Sequence, residues 1–199
     1  IIELLKSEKI KAVLIQRSRG YDWRDSLTVE EIGNIIKTVK HVSPETICIV
    51  DNCYGIFVET KEPTEFGADL IVGSLIKNAG GSLALSGGYI AGTAECVRKV
   101  GYRLTAPGLG KHVGASLGMN RNMFQGLFMA PHIVSESIKT AVLCAAMFKE
   151  LGFEVCPEVN SARSDIIQAV KLKTPDNVIK FCQAIQKLSL IHISEPTRH

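Results

Sequence analysis

Thr46-Ile47-Cys48-Ile49-Val50-Asp51-Asn52-Cys53-Tyr54-Gly55 and Ala68-Asp69-Leu70-Ile71-Val72-Gly73-Ser74-Leu75-Ile76-Lys77-Asn78 are two apolar runs that each end in polar groups. Short runs of this kind, rich in β-branched residues, read as strands covered on both faces. A third run, Ala12-Val13-Leu14-Ile15, lies upstream and ends at Arg17-Ser18-Arg19-Gly20. Between this upstream run and Thr46, Thr28-Val29-Glu30-Glu31 is a capping box, and Ile32, Ile35, Ile36 and Val39 form one apolar helix face. Lys37, Lys40 and His41 suit the negative end of that helix, and Ser43-Pro44 stops it. Buried strands separated by helix-sized segments predict an α/β fold with a mainly parallel sheet, where ligands collect beyond the carboxyl ends of the strands. The chemistry is therefore expected near Asp51 and near Ser74 to Lys77.

Downstream, Gly87-Gly88-Tyr89-Ile90-Ala91-Gly92 reads as a returning strand, and Thr93 opens a short helix through Val100. The turn Thr105 to Gly110 and a stretch rich in Gly and Met lead to a long helix expected from about Ser135 to Leu151, with Ile138, Val142, Ala145 and Phe148 on one side. From Gly152 the pattern changes to Val155-Cys156-Pro157, a strand at Ile166 to Val170, and a helix opened by Thr174-Pro175-Asp176. This divides the chain into a large domain over 1–150 and the start of a smaller α+β domain over 151–187. Residues 188–199 match what a transposase-type sequencing adapter would encode when read through in one frame, so they are expected to be a non-native tail. The missing initiator Met likewise points to a fragment.

At 199 residues, 46% hydrophobic and 22% charged, the composition is globular rather than disordered. A net charge of +3 comes from scattered residues and offers no basic stripe for nucleic acid. No apolar run reaches the roughly 18 residues that read as a membrane span. Six cysteines without a C-x-x-C pair fit a reducing cytoplasm, and five dispersed histidines give no metal-ligand spacing.

Asp51 and Lys77 close consecutive strands, and Ser74 stands three residues before the lysine. Pyridoxal 5'-phosphate needs such a set: an amine for its aldehyde, a carboxylate that keeps its ring nitrogen protonated, and donors for its phosphate. A buried Asp51 would stay ionised opposite the ring, and the apolar neighbours Leu75 and Ile76 would disfavour protonation of Lys77, leaving the uncharged amine that attacks.

These residues also resemble a known family. Val50 to Gly55, Gly67 to Ile71, Gly73 to Asn78, Gly87 to Gly92 and Arg103 to Gly108 are similar to the fold-type-I pyridoxal-phosphate enzymes, specifically the methionine gamma-lyase-like, aluminium-resistance proteins. The likeness covers nearly all of residues 1–187. It implies the large-domain portion of a pyridoxal-phosphate-dependent transferase, a carbon–sulfur lyase acting on a sulfur-containing amino acid, and assembly as a homodimer or homotetramer. Position by position, it implies a Schiff base on Lys77, a ring-nitrogen contact from Asp51, Tyr54 near the ring hydroxyl and Ser74 at the phosphate. The family has Pro and Gly where this chain has Ala79 and Ser82. The phosphate turn and ring-stacking aromatic are expected before residue 1, and the substrate-carboxylate arginine after Lys187, with Arg163 a weak substitute. The fragment by itself is thus expected to be inactive.

Other readings compete. Asp before Asn is a common turn former, and a Lys after a strand is commonly solvated. Ser74-Leu75-Ile76-Lys77 matches the S-x-x-K of serine acyl-enzymes, but that motif opens a helix and needs S-D-N and K-T-G partners that this chain lacks. A protein that holds the cofactor without turnover is a third reading. Cys53 reads as a pocket-lining thiol, and His132 as a packed or helix-entry residue.

Overall fold

The computed structural model describes residues 2–105, 108–114 and 116–188. Among these residues the chain runs α1 (Ile2–Ser7), β1 (Ala12–Gln16), α2 (Val29–Val42), β2 (Ile47–Asp51), β3 (Leu70–Ser74), β4 (Gly88–Gly92), α3 (Ala94–Leu104), α4 (Asn120–Glu150), β5 (Glu154–Cys156), β6 (Ala169–Lys171) and α5 (Pro175–Leu188), with short 3-10 turns between them.

The first four strands make one sheet in the order β1-β2-β3-β4. β1, β2 and β3 are parallel, with Ile15 opposite Val50 and Val50 opposite Ile71, while β4 runs antiparallel to β3. Side chains alternate across a sheet, so Ile15, Cys48, Val50 and Ile71 share one face. There they pack with Leu5 and with Ile32, Ile36 and Val39 of α2. The capping box forms as read: Thr28 Oγ1 accepts from Glu31 N–H at 3.1 Å, and Thr28 N–H donates to Glu31 Oε2 at 2.8 Å. At the other end of α2, Lys40 reaches Asp69 at 2.8 Å, whose carboxylate also accepts from Cys48 N–H. This ties the end of the helix to the start of β3.

The opposite face carries Asp51, Val72, Ser74 and Ile90 toward α3. This is the face on which the site is built.

Three expectations need correction. The long helix begins at Asn120, not near Ser135, and Pro131 lies inside it. Pro131 has no N–H to give the Leu127 carbonyl, so it signals a helix start when read locally. Tertiary contact overrides that signal: the helix passes so close to the turn after Lys77 that a Cβ on Gly126 would lie 2.1 Å from the Gly80 carbonyl oxygen. Ala130 and Val134 are buried on either side of the proline. Second, α3 runs to Leu104 rather than stopping at Val100. Third, the strand expected over 166–170 is only Ala169–Lys171, paired antiparallel with β5, because Asp165 Oδ1 accepts from Ile167 N–H and holds the preceding residues in a turn.

Among the described residues no helix is long and apolar enough to cross a membrane. Residues 189–199, nearly all of the tail read as adapter-encoded, lie outside the described residues, as do Ala106 and Pro107 of the Thr105 to Gly110 turn.

In the full-length protein, Ile36→Ala is expected to cost about 2–5 kcal/mol, because the side chain is almost fully enclosed between α2 and the sheet. Thr28→Ala should cost about 1 kcal/mol through loss of the cap. Urea unfolding followed by circular dichroism measures both.

Candidate active site

Parallel pairing puts Asp51 beside Val72 at the carboxyl edge of the sheet, with Ser74 two residues beyond on the same face. Asp51, Cys53, Val72, Ser74, Tyr89 and Ile90 line one side of a cavity of about 1160 Å³, and α3 residues including Val97, Arg98 and Tyr102 line the other. Lys111 and His112 stand at its edge.

Asp51 is half-buried rather than buried, because β2 ends there at an open edge. Its Oδ1 accepts from Cys53 N–H at 3.1 Å, the contact of a turn-forming aspartate, and its carboxylate also lines the cavity. Ser74 donates its N–H to Cys53 Sγ at 3.3 Å, and its hydroxyl accepts from Ile76 N–H at 3.3 Å. Lys77 closes the turn, its N–H donating to the Ser74 carbonyl at 3.2 Å.

Tyr54 and Lys77 do not line the large cavity; they stack on each other, with Lys77 Nζ 5.1 Å from the Tyr54 ring centroid. The charges of Asp51 and Lys77 nevertheless both act on the Cys53 thiol. Burial foremost, and then the Asp51 carboxylate, push that thiol up, while the Ser74 N–H and the Lys77 charge oppose them. Cys53 is thus a neutral thiol, its backbone N–H donating to Asp51 and its sulfur accepting from the Ser74 N–H.

The expectation that Leu75 and Ile76 would strip Lys77 of its proton is overturned. Leu75 turns away into a separate apolar cluster with Ile56, Ala79 and Ala84, and Ile76 is exposed. What the amine meets instead is Tyr54, whose hydroxyl is the main cause of a pKa above the ordinary lysine value, with Cys53 and Tyr21 adding to it.

The turn after the lysine explains one departure from the family pattern. Ser82 sits at φ +60°, in the left-handed region where glycine carries no steric penalty. Ala79, the other departure, is fully buried.

Two residues of the site were not recognised from sequence. Asn78 is buried and donates from Nδ2 to the carbonyls of Tyr54 (3.0 Å) and Ile56 (3.2 Å), binding the lysine turn to the turn after β2. Its position next to Lys77 was the only local signal. Arg17 is fully buried and bonds Asn52 and Glu59, partners too distant in sequence to give a signal. His132 lies exposed within α4, neither packed nor at a helix entry, because the helix starts a dozen residues earlier. Arg163 Nη2 donates to Gln168 Oε1 at 2.6 Å and does not line the cavity. Among the described residues no group of three or more His, Cys, Asp or Glu side chains is arranged to hold a metal ion.

A family model described as methionine gamma-lyase matches residues 1–196. The chain belongs to the methionine gamma-lyase family. Within it, this chain is 47% identical over 189 residues to the 33.9 kDa protein in the glnA 5' region of Lactobacillus delbrueckii subsp. bulgaricus, covering 95% of this chain and 62% of that one. Two solved structures from the aluminium-resistance group are similarly close. One is a Clostridium acetobutylicum protein described as involved in aluminum resistance, with 49% identity and a TM-score of 0.91 over 96% of this chain and 46% of that one. The other is a carbon-sulfur lyase involved in aluminum resistance from Clostridium novyi NT, with 50% identity and a TM-score of 0.90 over 96% and 45%. The chain thus spans less than two thirds of each of these relatives. The mixed α/β fold with a mainly parallel sheet is shared with lyases of this family.

Ser82→Gly should stabilise the full-length protein by about 1 kcal/mol by removing the left-handed strain, read from chemical denaturation. Tyr54→Phe should lower the Lys77 pKa toward the ordinary amine value, read from the pH dependence of Lys77 acylation mapped by mass spectrometry.

Proposed function

We propose that the full-length protein is a pyridoxal-phosphate-dependent carbon–sulfur lyase acting on a sulfur-containing amino acid, with Lys77 as the cofactor-bearing lysine. The observation that carries this reading is the placing of Asp51 and Ser74 on one face at the carboxyl edge of two adjacent parallel strands, where both line one cavity, with Lys77 on the turn that Ser74 begins. A carboxylate and a hydroxyl lining one opening, with an amine on the adjoining turn, suit a cofactor with a ring nitrogen, an aldehyde and a phosphate. The family name and the carbon–sulfur lyase relative support sulfur as the leaving atom.

Bound there, pyridoxal 5'-phosphate would supply an electron sink for negative charge developing at the substrate Cα. Asp51 keeps a proton on the ring nitrogen by offering it a fixed negative charge. Lys77 would hold the group through its amine and, when free, would take the substrate Cα proton. Ser74 offers its hydroxyl to the phosphate, and Tyr54 holds the lysine side chain through its ring and hydroxyl. The overall reaction would consume one water and release a thiol, a keto acid and ammonia from the sulfur-containing amino acid. A serine acyl-enzyme is disfavoured because Ser74 ends a strand and does not open a helix. Assembly as a homodimer or homotetramer belongs to the same proposal, with the exposed Phe124 and Phe128 of α4 as residues a partner subunit would cover.

Lys77→Ala should abolish release of thiol and keto acid while leaving the circular dichroism spectrum unchanged; wild-type rates in that variant would end the proposal. Asp51→Asn should lose about 100-fold or more in kcat with cofactor in excess. Because Lys77 must shed a proton before it can capture the cofactor, capture should accelerate as pH rises toward its raised pKa. Tyr54→Phe should then capture faster than wild type at neutral pH. A capture rate independent of pH would contradict the protonated amine.

A further inference from the structure

Arg17 stands at the carboxyl end of β1 with its side chain wholly enclosed, and its partners all belong to the segment that follows β2. Nη1 donates to Asn52 Oδ1 at 2.6 Å and lies 3.5 Å from Glu62 Oε2, while Nη2 donates to Glu59 Oε1 at 2.7 Å. The acceptors are themselves fixed. Asn52 Nδ2 donates to Glu62 Oε2 at 2.8 Å, Glu62 Oε1 accepts from Phe57 N–H at 2.9 Å, and Glu59 Oε1 accepts from Val29 N–H at the start of α2. One guanidinium therefore joins the end of β1, the start of α2 and the turn over 52–62. Its planar fork suits such divergent acceptors better than an ammonium would.

The turn lies directly on that side chain. A Cβ at Gly55 would meet Arg17 Cδ at 2.4 Å and Nε at 2.5 Å, so only glycine fits there without displacing one or the other. On its far side the same turn is held by Asn78, the neighbour of Lys77, through the carbonyls of Tyr54 and Ile56. Tyr89 adds a hydroxyl donor to the Asn52 carbonyl at 3.1 Å. Tyr54 is thus carried on a turn fixed from below by Arg17 and from above by the lysine turn. Arg17 itself does not line the cavity. The guanidinium is enclosed while the Glu59 and Glu62 side chains keep 25% and 23% of their exposure, and a largely buried ion pair often adds little stability compared with apolar side chains of the same volume.

We propose that Arg17 is a positioning residue: through Asn52, Glu59 and Glu62 it holds the 52–62 turn so that Asp51 and Tyr54 keep their places beside Lys77. This rests on the assignment of Lys77 as the cofactor lysine, and its test is built to fail separately from that assignment.

The test needs no cofactor. In the full-length protein, acylation of Lys77 by a small amine reagent is followed against pH by peptide mapping in wild type, Arg17→Met, Arg17→Lys, Gly55→Ala and Tyr54→Phe, each first checked for a native spectrum and a cooperative melt. The groups that face the amine are Tyr54 first, then Cys53 and Tyr21. Tyr54→Phe should move the midpoint down. Arg17→Met and Gly55→Ala should move it down by the same amount, and combining either with Tyr54→Phe should move it no further. Arg17→Lys, which keeps the charge and loses the fork, should recover part of the wild-type midpoint. If Arg17→Met does not fold, Gly55→Ala and Arg17→Lys carry the comparison. With cofactor and substrate, a turn displaced by an ångström should lower kcat by about 100-fold with little change in KM. Folded Arg17→Met and Gly55→Ala proteins that keep the wild-type midpoint would overturn the proposal, as would an unmoved midpoint in Tyr54→Phe. Failure of the cofactor assignment has a different signature: wild type would not capture pyridoxal phosphate on Lys77, while the midpoints would still shift as stated.

Discussion

Parallel pairing of β2 with β3 in the register Asp51 opposite Val72 is the constraint on which the rest of the molecule depends. It ends two strands at one edge of the sheet and sends one chain end into Cys53-Tyr54-Gly55 and the other into Leu75-Ile76-Lys77. Slipping one strand by one residue would turn Asp51 or Ser74 to the α2 face and bring Val50 or Gly73 to the cavity. The α2 side prevents this. Cys48, Val50 and Ile71 are buried there against Ile32, Ile36 and Val39, so the polar face is defined by the burial of the apolar one.

The site built on that edge balances opposite charges around a neutral thiol. Asp51 and Lys77 act on Cys53 in opposite directions, and burial keeps the thiol protonated between them. Tyr54 favours the charged form of Lys77, which makes proton loss part of any reaction of that amine. The neighbouring Tyr89 phenol is also pushed up, by burial first and then by Glu62, so it stays a hydrogen-bond donor to the Asn52 carbonyl. Each of these groups is held by backbone or side-chain contacts from the turns after β2 and β3, and the two turns are bound to each other by Asn78.

Much of this was legible in the sequence, for reasons that differ by element. β1, β2, β3 and α2 announce themselves because apolar runs and a capping box are local patterns, and Asp51, Ser74 and Lys77 stand at the ends of those runs. The first half of α4 was hidden because Gly126 and Pro131 argue against a helix locally, while close approach to Gly80 demands small residues there. The protonation of Lys77 was misread because its sequence neighbours are apolar, whereas its spatial neighbour is Tyr54. Arg17 marked only the end of an apolar strand, since nothing in sequence joins it to Asn52, Glu59 and Glu62.

Borohydride reduction of the full-length protein loaded with pyridoxal 5'-phosphate, followed by peptide mapping, tests the central claim most directly. The account predicts one reduced pyridoxyl group, on the peptide that contains Lys77. A label on a different lysine, or none at saturating cofactor, would contradict it.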